Sequence, residues 1–176
     1  DRRQRQMCIR DSAGGDLNTG RATAGGTGVQ TAALCIGSYP AGAIVEQYDG
    51  SSWTEIGDLN GGRHNLSSAG TTTAALAFGG ENATAILALS EEWNGSAWSE
   101  GGDLNTGKYA SAGAGIQTSA LSMTGDDPPG ARTANVESYN GSSWTEVANV
   151  NSARYALAGD GASNTSAIIA GGIDTA

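Results

Sequence analysis

The chain reads as an all-β repeat protein. Three observations predict this: near-identical segments recur 45 and 46 residues apart, short apolar runs end on glycine, and glycine makes up 28 of 176 residues. That glycine share is about twice the usual ~7 %. Glycine costs ~1 kcal/mol against alanine inside a helix, and no stretch shows a helical hydrophobic period long enough to offset it.

The recurring segments are EQYDGSSWTEIGDLN (46–60), EEWNGSAWSEGGDLN (91–105) and ESYNGSSWTEVANVN (137–151). A second series is TAALCIGS (31–38), TAALAFGG (73–80), TSALSMTG (118–125) and TSAIIAGG (165–172). Between them lie TGRATAGGTG, GGRHNLSSAG, TGKYASAGAG and SARYALAGDG. The units are therefore 19–60, 61–105, 106–151 and a partial 152–176, of 42, 45, 46 and 25 residues. Periods of this length mark arrays of supersecondary units that bury their faces against neighbours.

Each unit resolves into four strands. RATAGGTG and its equivalents supply the first strand and a turn. TAALAFGG is an apolar run with small side chains, suited to a strand covered on both faces where neighbours come close. The third and fourth strands flank Asp49-Gly50, Asn94-Gly95 or Asn140-Gly141, the dipeptides that supply the positive φ of a tight hairpin. Residues 152–176 reach only the second strand of a fourth unit.

Several positions recur jointly. A glycine doublet closes the second strand at Gly79-Gly80 and Gly171-Gly172, degraded to Gly37-Ser38 and Thr124-Gly125. An aromatic stands in the third strand (Tyr48, Trp93, Tyr139), a tryptophan in the fourth (Trp53, Trp98, Trp144), and a basic residue opens each unit (Arg21, Arg63, Lys108, Arg154). Taken together this pattern resembles the kelch repeat. The resemblance implies a partial β-propeller of about three and a half four-stranded antiparallel blades, an open arc rather than a closed ring, with further blades of the same parent chain missing. DGSSWTE followed by DLNTGR is also similar to repeat proteins of marine phages, which implies a tail or virion component and a virion or extracellular location.

The recurring residues are expected to serve the repeat. Trp53, Trp98 and Trp144 should pack between neighbouring blades, each ring burying ~150–250 Å². Arg21, Arg63, Lys108 and Arg154 should pair with Glu46, Glu91 and Glu137 across the seams. If those pairs are exposed they contribute under about 1 kcal/mol each.

The opening DRRQRQMCIRDS (1–12) stands apart. It holds four of the nine Lys/Arg and one of the two cysteines. No apolar region follows it as in a signal peptide, and its charges are too few for a nucleic-acid arm. Back-translated, residues 2–11 resemble a sequencing-library adapter, so 1–12 is expected to be an artefactual tail, disordered and outside the fold. Without it 16 acidic and 5 basic residues remain, a net charge of −11. That acidity argues against nucleic-acid or anionic-membrane partners. Cys35 is then a lone cysteine in an apolar run, which predicts a small core residue.

Function is expected in the loops. The stretch joining second and third strands is 39–45, 81–90 and 126–136, and its 7, 10 and 11 residues account for all the length variation between units. Repeat proteins carry insertions on one, often binding, face. In a kelch-like arrangement that face also holds the turns between units. The candidate binding residues are Tyr39, His64, Glu81, Asn82, Asp126, Asp127 and Arg132. Asp126-Asp127-Pro128-Pro129 supplies two carboxylates, too few oxygens for a calcium loop.

Catalytic and cofactor readings are thin. Galactose-oxidase-like copper enzymes share the propeller fold but need two histidines, and His64 is the chain's single one. No zinc spacing, nucleophile motif or phosphate loop occurs. The expectation is a non-enzymatic binding or structural module, without cofactor or metal, whose partner is a protein or glycan. A secreted or cell-surface bacterial propeller is the alternative, and an oxidase a distant third.

Overall fold

The computed structural model describes residues 14–40 and 42–174. The adapter-like segment 1–12 lies outside the described residues. Among those residues there are sixteen strands and no helix. The all-β reading therefore holds.

Three four-stranded antiparallel sheets follow one another along the chain. The first comprises β1 (Gly25–Val29), β2 (Ala32–Ser38), β3 (Gly42–Tyr48) and β4 (Trp53–Glu55). The second comprises β5 (Ser67–Gly70), β6 (Ala75–Phe78), β7 (Ser90–Trp93) and β8 (Trp98–Glu100). The third holds β9 (Ala112–Ile116), β10 (Ser119–Met123), β13 (Val136–Tyr139) and β14 (Trp144–Val147). Its long loop forms a small extra ladder of β11 (Asp126–Asp127) and β12 (Ala131–Arg132). A hairpin of β15 (Arg154–Ser163) and β16 (Ser166–Asp174) ends the described chain. Each sheet is a meander, so every strand pairs with its sequence neighbours, the insert β11–β12 aside.

The first strands stand side by side, β1 against β5, β5 against β9 and β9 against β15. A backbone belt ties them together. Asn65 donates its N–H to the Thr23 carbonyl (2.8 Å), Ala110 to Asn65 (2.9 Å) and Ala156 to Ala110 (2.9 Å). All four residues take positive φ, between 51° and 55°, a conformation unfavourable for side chains with a Cβ and held here by the same bond in each repeat.

The hairpin and doublet glycines have separate reasons. Gly50, Gly95 and Gly141 turn the third strand into the fourth at φ 97°, 93° and 93°. Gly37 and Gly79 sit at φ 70° and 65°, and a Cβ there would lie 2.4 Å from the Arg63 carbonyl oxygen and 2.5 Å from that of Lys108. The doublet thus lets the next unit's backbone lie against the end of the second strand. Thr124 holds the equivalent place at φ 61°.

The core lies between sheets. At the first seam Leu34, Ile36, Val45 and Leu59 meet Ala75, Ala77, Trp93 and Trp98. At the second, Ala69, Leu76, Phe78 and Leu104 meet Ala120, Tyr139 and Trp144. At the third, Ala112, Ala114, Met123 and Val136 carry Leu157 and Ile169 of the hairpin. Trp98 and Trp144 lie between sheets as the repeat predicts. Trp53 does not: it is half-buried against Tyr48 (ring centroids 5.1 Å apart) on the outer face of the first sheet. Cys35 is only partly covered on that same face, because among the described residues no sheet stands before β1 as one stands before its equivalents Ala77 and Ser122.

Candidate functional site

The seams carry the most elaborate chemistry. Arg63 is held by its backbone to the first sheet, its N–H donating to the Gly42 carbonyl and its own carbonyl accepting from Ser38. Its side chain enters the second sheet, where Nη1 donates to Glu91 Oε1 at 2.6 Å. The two side chains are 0 % and 3 % exposed. Asn60, on the same connecting segment, donates its N–H (2.7 Å) and Nδ2 (2.9 Å) to Glu91 Oε2 and Nδ2 again to the Trp98 carbonyl. The clamp recurs. Asn18 and Arg21 hold Glu46, and Asn105 and Lys108 hold Glu137. A buried carboxylate that is both paired and hydrogen-bonded escapes the penalty of an isolated buried charge.

The third clamp is weaker. Lys108 Nζ lies 3.1 Å from Glu137 Oε1, yet neither atom has a hydrogen bond of acceptable angle. An ammonium lacks the planar fork with which guanidinium meets a carboxylate. Burial pulls the Lys108 ammonium below its ordinary value, with Glu137 opposing. Arg154 departs from expectation: the described residues give it no carboxylate, and its Nη1 donates instead to the Gly171 carbonyl at 3.0 Å.

Asn18, Asn60 and Asn105 were readable only as turn residues, although their recurrence at the end of each DLN was visible. Two further seam contacts carry no such sequence signal. Tyr139 Oη donates to Glu92 Oε1 at 2.6 Å, and burial followed by that bond pushes its phenol up to about 12. Trp144 Nε1 donates to the Ser90 hydroxyl at 3.0 Å, whereas Trp98 Nε1 faces Val45, at the equivalent position, and has no acceptor.

The candidate binding residues lie at the end of the sheets where the variable loops adjoin the next unit. Single-residue bridges join Ala22 to Tyr39, His64 to Glu81 and Tyr109 to Asp126. The structure brings Tyr39, His64 and Glu81 together. The Tyr39 and His64 rings meet edge to face at 5.1 Å, and His64 Nε2 lies 3.3 Å from Glu81 Oε1. Asn65 Nδ2 donates to the same carboxylate oxygen at 2.9 Å. His64 Nδ1 is buried without a partner, while Tyr39 is 62 % exposed.

The other four candidates lie apart from that trio, three of them on the β11–β12 ladder, where Asp126 pairs with Arg132. Asn82 turns back to accept from Thr84 and Ala85 within its own loop. Asp126 is buried in the bridge with Tyr109, whose phenol is raised by burial and then by this carboxylate. Asp127 and Arg132 belong to the β11–β12 ladder, and Arg132 stacks over Tyr155 at 4.7 Å. A shallow hollow joins Glu81 and Asn82 to Pro128 and Pro129, so the second and third loops share one rim. Among the described residues no three His, Cys, Asp or Glu side chains cluster as metal ligands would.

No protein-family model and no curated protein matches this sequence.

Proposed function

We propose that the three sheets and the hairpin are successive blades of an open, kelch-like propeller arc, three and a half in number. We propose further that the chain is a non-enzymatic binding and structural module of a virion or phage tail. The observation that carries the reading is the loop end. All length variation between repeats falls there, and an exposed aromatic ring (Tyr39) stands beside a carboxylate and an amide (Glu81, Asn65) held in fixed orientation. An apolar ring next to oriented hydrogen-bonding groups is the arrangement that recognises a glycan, and loops on a rigid scaffold are where recognition is commonly placed.

Glycan-array binding by the full chain, compared with Tyr39→Ala and Glu81→Ala, tests this. Binding reduced at least tenfold in both variants is the expected result. Undiminished binding in the variants would move recognition away from this end, and absence of glycan binding by the parent chain would overturn the glycan reading.

A further inference from the structure

Among the described residues, the outer face of the first sheet is an unfilled copy of the first two seams inside the molecule. At the first two internal seams an aromatic pair from the following sheet packs on two aliphatic or aromatic side chains of the preceding one. Trp93 and Trp98 pack on Leu34 and Ile36, and Tyr139 and Trp144 pack on Leu76 and Phe78, with Phe78 and Trp144 centroids 4.8 Å apart. Tyr48 and Trp53 form the same pair on the outer face, with Ala33, Cys35 and Gln30 beside them around a wide groove.

A polar finger recurs as well. Gln117 Nε2 reaches back across the seam to the Ala75 and Trp93 carbonyls at 3.0 and 2.8 Å. Asn164, one unit on, reaches back to the Tyr139 carbonyl and the Ser138 hydroxyl. Gln30 is the corresponding residue of the first unit, exposed on the groove. Thr23 likewise opens the backbone belt in which Asn65, Ala110 and Ala156 each donate to the unit before.

The complementary half is at the other end of the same chain. Ile168 and Ala170 stand three and one residues before Gly171, as Leu34 and Ile36 stand before Gly37 and Leu76 and Phe78 before Gly79. Ile168 is 70 % exposed, while its neighbour Ile169 faces inward on the third seam.

We propose that the β1–β4 face docks the β15–β16 hairpin of a second copy of this chain, head to tail, with Trp53 packing on Ile168. The contact continues the seam already built twice within the molecule, and it rests on that geometry rather than on the glycan reading. It is heterologous, so an open assembly keeps one free face at each of its two ends unless the copies close a ring.

Light scattering coupled to size exclusion over a hundredfold concentration range tests it on the full chain. The expected result is a mass that rises with concentration to a dimer or beyond. Trp53→Ala and Ile168→Asp should each run as monomers, and an equimolar mixture should form a one-to-one dimer, because each variant keeps the face the other lost. Ile168→Asp changes an exposed side chain and leaves the fold intact, so it decides the matter even if Trp53→Ala unfolds. A parent chain monomeric at every concentration, or self-association that persists in Ile168→Asp, would overturn the proposal.

Discussion

Replacing Glu91 by glutamine keeps the shape of the second clamp and removes its charge. The Arg63 guanidinium would then remain 0 % exposed without a counter-charge, its remaining acceptors being the Gly61 and Ala77 carbonyls at 3.3 and 3.4 Å. Removing one partner of a buried pair costs about 3–5 kcal/mol. Glutamine can still accept from Asn60, so Glu91→Gln should lie near the lower figure, about 3 kcal/mol. Arg63→Met should cost a similar amount by stranding the carboxylate. The double variant leaves no unpaired charge and should fall short of the sum of the two by about 2 kcal/mol, within the range seen for residues in one network. A domain stable by ~5–15 kcal/mol retains a measurable transition after such losses. Urea titration followed by tryptophan fluorescence reads it, since Trp98 lies in the same seam and its carbonyl accepts from Asn60. Single variants that each cost under about 1 kcal/mol, the magnitude of an exposed pair, would refute the reasoning. So would strict additivity in the double variant.

Four other substitutions or conditions probe the same framework. Thr124→Gly should raise stability by about 1–2 kcal/mol in urea titration. Thr124 is buried at φ 61° with an unpaired hydroxyl, and relief of both exceeds the ~1 kcal/mol entropic cost of glycine; a loss of stability would refute this. Ser90→Ala should cost about 1–3 kcal/mol by leaving Trp144 Nε1 unpaired, as buried orphan donors do, and a change under a few tenths would contradict it. Lys108→Arg should raise the melting temperature, because arginine occupies the equivalent place in the first two clamps with a fork the ammonium lacks; a lowered value would count against it. For Glu46, burial alone would raise the carboxyl, but N–H donors from Asn18 and Thr19 and the Arg21 charge hold it below its ordinary value. A group depressed in the folded state stabilises above its unfolded pKa, and that contribution fades as pH falls through the folded value. The melting temperature should therefore drop more steeply below pH ~4.5 in the parent than in Glu46→Gln, and parallel curves would remove the effect.

The strand plan was legible because each unit repeats its own punctuation. Gly50, Gly95 and Gly141 mark the hairpins, and the run before each doublet marks the second strand, so strand order and the place of each aromatic follow from spacing alone. The basic residue and glutamate of each unit were legible as partners for the same reason. The rest depends on which neighbour is present. Trp53 carries nearly the same local sequence as Trp98 and Trp144, yet among the described residues only the last two have a preceding sheet to pack on. Arg154 repeats Arg63 in sequence, but among the described residues it meets the Gly171 carbonyl rather than a carboxylate. At the loop end, residue type pointed to seven candidates, and only Tyr39, His64 and Glu81 converge. Asn82 could not be separated from them by sequence, because an asparagine two residues before a threonine suits an Asx turn as well as a ligand.

The placement of the core explains how a chain so poor in large side chains can fold. The sheets are thin, their inner strands rich in alanine and glycine, and close packing leaves little apolar volume within any one of them. The first two seams concentrate what the sequence has: an aromatic pair, a buried ion pair and a DLN asparagine. Stability in such an array is the sum of unit terms and nearest-neighbour terms, and here the neighbour terms dominate. The third seam differs in kind. Its residues include no aromatic ring, and Arg154 has no carboxylate across it among the described residues. The β15–β16 hairpin is held instead by its belt bond, the Gly125 N–H on the Arg154 carbonyl, the Asn164 finger and Arg132 over Tyr155, with Leu157 and Ile169 as its apolar anchors. The element whose seam lacks both an aromatic pair and an ion pair is thus the one that the head-to-tail contact would cover.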